Sequence, residues 1–184
     1  MINKKRKLQI GVIGYAGIEE YPNGAIKENI YDIAERVGFL IAQGGAIVVT
    51  GGKGGVMESA ALGAQKASGT TVGVIKGNKR FNSNEFTDIE VLTGMEADGF
   101  DEFMLVSMCD ALIVLGGGAG TLEEITIAYR NKKPIVVIKN TGGWADKITE
   151  GYLDERKKVK VELVSTPEEA VEKVFSVVKY ESIK

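Results

Sequence analysis

The chain has 184 residues, 44% of them hydrophobic and 26% charged, with 23 Lys and Arg against 25 Asp and Glu. One compact core is expected at this length, and a net charge of −2 lacks the basic excess that a nucleic-acid backbone requires. No histidine and a single cysteine, Cys109, exclude the Ser-His-Asp triad, most zinc sites and any intrachain disulfide.

The basic run before Leu8 reads as a solvated end and not as a signal peptide. Leu8 to Ile13 is a near-continuous apolar run, the pattern of a strand buried on both faces. Ile26 to Gln43 carries Ile30, Ile33, Ala34, Val37, Leu40 and Ile41 at helical spacing, and Gly44-Gly45 ends that helix. Ala46–Thr50 is a second strand, Gly55–Ala67 a second helix and Thr70–Ile75 a third strand. Polar Lys76–Thr87 reads as a loop before a short strand at Ile89–Leu92. A helix then ends near Cys109, followed by a strand at Ala111–Leu115, a helix at Thr121–Lys132 and a strand at Pro134–Ile138. Trp144–Tyr152 predicts a short helix and Val161–Val164 a strand, and Thr166 caps a last helix running to about Lys179.

This alternation predicts one α/β domain over residues 1–184 with a mostly parallel sheet. No apolar run reaches the ~18 residues of a membrane span. With one cysteine, a reducing, cytoplasmic compartment is the expected setting.

Three strands run straight into glycine: Gly14-Tyr15-Ala16-Gly17, Gly51-Gly52-Lys53-Gly54-Gly55-Val56-Met57, and Gly116-Gly117-Gly118-Ala119-Gly120-Thr121. Open parallel sheets bind ligands beyond the carboxyl ends of their strands, and glycine lets backbone N–H groups approach a phosphate at a helix N-terminus. None of the three is a P-loop, and the dinucleotide fingerprint is absent from the first turn. Two rich loops of different spacing favour a mononucleotide-like ligand over a dinucleotide. Thr121-Leu122-Glu123-Glu124 has the form of a capping box, in which Glu124 would satisfy a backbone N–H. A carboxylate beside such a loop is equally placed to touch a ribose.

These residues resemble the LONELY GUY family, also labelled lysine decarboxylase-like. Gly51-Gly-Lys-Gly-Gly-Val-Met-Glu58 is similar to its GGxxGxM motif, and Gly116-Gly-Gly-Ala-Gly-Thr-Leu-Glu-Glu124 to PGGxGTxxE, with glycine for the leading proline. The likeness runs to about Ile138. It is closer to a subgroup of small nucleotide-binding proteins that includes molybdenum cofactor carrier proteins, which Gly142-Gly143-Trp144 also resembles.

The resemblance implies a Rossmann-like open sheet with helices on both faces, and a 5′-phosphate held by the Gly116–Thr121 loop. It implies either binding of a nucleoside 5′-monophosphate or nucleotide-bearing cofactor, such as molybdenum cofactor, or phosphoribohydrolase activity with Glu124 at the ribose. No required cofactor or metal is expected. A decarboxylase would need a Schiff-base lysine in a cofactor-sized site, which the sequence does not display.

The family's arginine, nine residues before the Asp that leads into the next strand, falls here on Asp101. Lys53 and Arg80 are the cations that could reach the site, although each also reads as an exposed loop charge. The resemblance further implies a homodimer, to which a helix over Glu96–Met108 would contribute Phe100, Phe103, Met104, Val106 and Met108. No nucleic-acid or membrane partner is expected.

Overall fold

The computed structural model describes residues 6–17 and 29–181, with side chains to residue 178. Short β-branched runs give seven strands among these residues: β1 (Gln9–Gly14), β2 (Ile47–Thr50), β3 (Thr71–Ile75), β4 (Ile89–Leu92), β5 (Ala111–Leu115), β6 (Ile135–Ile138) and β7 (Val161–Val164). They form one sheet of order β4-β3-β2-β1-β5-β6-β7, and each neighbouring pair is parallel. Every residue of β3, β5 and β6 is buried, as strands covered on both faces require.

Three helices cover each face. On one, α1 (Ile30–Gln43), α2 (Val56–Lys66) and α6 (Pro167–Glu181) pack Ile41, Val56 and Val174 against Ile10, Val12 and Ile113. On the other, α3 (Phe100–Met108), α4 (Ala119–Arg130) and α5 (Gly143–Lys147) pack Leu105, Ile125 and Ala145 against Ile13, Val114 and Val137. Helices α1 and α2 touch at the backbone. A Cβ on Gly63 would stand 1.8 Å from the Glu35 carbonyl oxygen, and one on Gly38 would stand 1.9 Å from that of Ala60. No described helix is long and apolar enough to cross a membrane.

Four boundaries differ from expectation. Helix α1 is described from Ile30, and residues 26–28 of the expected helix lie outside the described residues. The helix expected from Glu96 starts at Phe100, because its N-cap Gly99 is left-handed with φ 88°. The one expected at Thr121 starts two residues earlier, at Ala119. Helix α5 is five residues long instead of nine, because the chain turns extended at Ile148 and Gly151 forms an antiparallel bridge with Val161. Thr166 behaves as read: its Oγ1 accepts the Glu169 N–H at 3.2 Å in the first turn of α6.

The chain builds β1 to β4 outward on one side, then returns to β5 beside β1 and builds the other way. The carboxyl ends of β1 and β5 therefore flank the switch point, where α/β sheets open a crevice. Cys109, between α3 and β5, is sealed in the core at 1% exposure, and burial pushes its thiol pKa far up.

Candidate functional site

A cavity of about 220 Å³ lies at that switch point. Its walls come from the ends of β1 (Gly14, Ala16), β2 (Gly51, Lys53) and β3 (Val74), from α2 (Met57), from α3 (Asp101, Glu102, Leu105) and from α4 (Gly118, Gly120, Thr121, Glu124).

Glycine shapes the β5–α4 wall. Gly117 has φ 92°, and a Cβ on it would stand 2.3 Å from Thr121 Oγ1, so both its conformation and its crowding exclude a side chain. The turn is pinned from behind. Thr141 Oγ1 accepts the Gly116 N–H at 2.9 Å, and the N–H groups of Trp144 and Ala145 donate to the carbonyls of Gly117 and Gly116, each at 3.0 Å. The Leu122 N–H bonds to the Gly118 carbonyl at 3.1 Å. The N–H groups of Ala119, Gly120 and Thr121 precede that bond and have no place in the α4 ladder. With the helix dipole they make a seat for an anion.

The β2–α2 loop is held from two sides. The Val56 N–H donates to the Tyr15 carbonyl at 3.0 Å, while Asn84 donates its N–H to Gly52 O at 2.7 Å and its Nδ2 to Lys53 O at 2.9 Å. Thus the β3–β4 loop, polar and without helix or strand, fixes the wall that carries Lys53.

Helix α4 does not begin in a capping box. Its N-cap is Gly118, so Thr121 already lies within the helix, and its Oγ1 donates to the Gly14 carbonyl at 3.3 Å. This bond ties α4 to β1 across the crevice. Glu124 is freed from capping and lies 9% exposed along the cavity wall. Burial first, then the carboxyls of Glu102 and Asp101, hold its pKa well above the carboxylate range, while Lys53 acts in the opposite sense. Burial and then Asp101 also raise Glu102, whose Oε2 accepts the Gly99 N–H at 3.0 Å and so caps α3. Asp101 Oδ1 is shielded from solvent and has no hydrogen-bond partner.

Of the residues singled out from the sequence, Gly14, Gly51, Met57, Gly118, Gly120, Thr121 and Glu124 meet at this cavity. Gly54 and Gly55 line a neighbouring hollow with Gly17 and Tyr31. Tyr15, Gly52, Gly116, Gly117 and Ala119 stand outside the lining; Tyr15 is buried against Gly116 and Gly143 as support. Lys53 reaches the cavity, whereas Arg80 stacks on Phe81 beside a separate hollow. Sequence reasoning passed over Ala16, Val74 and Leu105. Leu105 had a readable signal, since it lies four residues after Asp101 on one face of α3.

A Rossmann-like open sheet with a glycine-lined crevice at its switch point defines a small nucleotide- or cofactor-binding α/β protein. Residues 7–171 match the model of the SLOG cluster4 family, and the chain belongs to that family. Among solved structures, TM1055 is 32% identical with a TM-score of 0.83, over 92% of this chain and 99% of that one. The molybdenum cofactor binding protein of the phototrophic bacterium Rippkaea orientalis is 30% identical with a TM-score of 0.76, over 94% and 98%. The molybdenum cofactor carrier protein of Chlamydomonas reinhardtii is 29% identical with a TM-score of 0.76, over 95% and 99%.

Proposed function

We propose that this protein binds a nucleoside 5′-monophosphate or a nucleotide-bearing cofactor in the switch-point cavity and holds it without cleaving it. The observation that carries this reading is the mouth of α4. Of the three N–H groups outside the helix ladder, two belong to Gly120 and Thr121, which line the cavity together with Gly14 and Gly51, and Lys53 stands on its rim. The phosphate belongs there, and the rest of the ligand lies between α3 and β2. Cleavage is disfavoured because the position of the family's arginine is an acid, Asp101, which supplies no positive charge to the reaction.

Molybdenum cofactor, which two of the similar structures are named for, suits the donor set in part. Its phosphate would take the α4 mouth, and its amino and ring N–H groups would find an acceptor in Asp101. No group of three or more described His, Cys, Asp and Glu side chains is arranged to hold a metal ion, and the one thiol is sealed in the core. A reducing, cytoplasmic setting suits a protein with that single thiol.

The test is calorimetry with AMP and GMP, beside mass spectrometry of the ligand that co-purifies. Gly118→Val adds a branched side chain at a residue that lines the cavity, and a variant that circular dichroism shows to be folded should lose binding by at least about a hundredfold. Wild-type affinity in that variant would remove the loop from the site. AMP cleavage by the wild type at about 1 s⁻¹ or faster would replace binding with hydrolysis.

A further inference from the structure

The cavity that would take an anionic ligand is walled by three carboxyls and one lysine. Asp101 and Glu102 occupy the first turn of α3, Glu124 stands on α4, and Lys53 is the one cation among the lining residues. Glu124 is 9% exposed and makes no hydrogen bond among the described residues. Asp101 Oδ1 is sealed and unpartnered. Glu102 accepts the Gly99 N–H through Oε2 and stands against the Asp101 carboxyl. Its Oε1 lies 3.3 Å from where a Cβ on Gly120 would stand, against the turn of α4 that would seat a phosphate. An ionised carboxylate at that place repels a phosphate, whereas a carboxylic acid donates to it.

The surrounding charges do not offset the three acids. Glu123 adds a further carboxylate from α4. Lys76, from the β3–β4 loop, faces Asp101 and Glu96 but is already paired with Asp98. On the sheet side stands the buried Cys109 thiol, and Lys133 there bonds the Cys109 carbonyl. No described set of His, Cys, Asp and Glu is arranged to hold a metal ion.

We infer that this wall works as an acid: Glu102 and Glu124, crowded by the Asp101 carboxyl, share a proton, and a neutral carboxyl of the two donates to the ligand's phosphate where the resemblance places an arginine. Binding a phosphate monoester then draws a proton onto the cluster. This inference rests on the nucleotide reading above. Burial and mutual repulsion already raise Glu102 and Glu124 in the free protein, so the proton is retained at lower cost here than on an exposed carboxylate.

The experiment is AMP calorimetry at about pH 8, where the free phosphate is a dianion, in two buffers of different ionisation enthalpy. Uptake of about one proton per AMP is expected, with the apparent Kd rising about tenfold per pH unit above neutrality. In Asp101→Asn/Glu102→Gln/Glu124→Gln that uptake disappears and the affinity becomes flat with pH. Should the triple variant not fold, Glu102→Gln alone should bind AMP about tenfold more tightly than wild type at about pH 8.

Binding without proton uptake, or uptake undiminished in the triple variant, overturns the inference while leaving the nucleotide reading intact. So does Mg²⁺-dependent binding that takes up no proton. Absence of AMP and GMP binding at any pH removes both. A readout without ligand is the ¹³C signal of the side-chain carboxyls, in which Glu102 or Glu124 should titrate above the ordinary carboxylate range. Ordinary titration of both would overturn the inference outright.

Discussion

Glu124 shows how context sets the behaviour of one residue. Four residues of sequence suggest a helix cap, yet the helix starts at Ala119 and leaves this carboxyl inside it, buried on a cavity wall beside two other acids. Its pKa is raised in the folded state, so folding favours its protonated form. The stability linked to this group is full below the ordinary carboxylate range and is lost as pH rises through the folded-state value. Glu124→Gln should therefore raise the melting temperature at about pH 8 and leave it nearly unchanged at about pH 4. Thermal denaturation at the two pH values checks this, and equal shifts at both would mean that the substitution acts through packing instead of charge. Asp101 was found by counting back from Asp110, because a motif fixes an offset along the chain. Val74 and Ala16 escaped notice because an apolar or small residue at a strand end looks the same whether it faces a core or a cavity.

Among the elements, strands were the most legible, since β-branched runs between glycines allow little else. Helix starts were the least. Gly118-Ala119-Gly120 is poor helix-forming sequence, and the first turn of α4 forms there because Thr121 is tied to β1 and Gly117 is pinned by α5. Such tertiary fixation leaves no local pattern. The crossing of α1 and α2 is likewise a tertiary requirement. A methyl group at Gly63 cannot be accommodated by a side-chain shift, because it meets the Glu35 carbonyl on the backbone of the facing helix. Alanine is the better helix former by about 1 kcal/mol, so propensity alone would make Gly63→Ala stabilising. The overlap reverses that sign, and we expect a loss of about 1–3 kcal/mol in urea denaturation. A stabilised variant would show that the two helices can separate without cost.

For the whole molecule, the sheet accounts for the core but not for the outer face of α3. Phe100 and Phe103 are 41% and 52% exposed there, whereas Val106 turns inward and is fully buried. Of the five apolar residues expected at a partner surface, these two are exposed, while Met104 and Met108 pack partly buried against the core. We expect a homodimer through this face. Light scattering at micromolar concentration should give twice the 19.7 kDa chain mass, and Phe103→Glu should return it to the monomer value. A wild-type monomer would rule the assembly out.

The strand order also has a consequence for how the protein is made. β1 lies at the centre of the sheet, yet the neighbour that closes its switch-point edge, β5, follows about a hundred residues later, with Ile10 opposite Ala111. At ribosomal speeds of roughly 5–20 residues per second, that edge stays unpaired for about 5–20 s of synthesis. By the end of that interval the nascent chain holds β1 to β4 with no α4 and no finished ligand site. A growing chain of this kind presents an open, apolar strand edge, the surface that cellular holdases recognise and that unassisted chains use to aggregate. Placing the ligand crevice between the first strand and the fifth thus delays both the pairing of the second edge of β1 and the arrival of the β5–α4 wall to the same stage of translation.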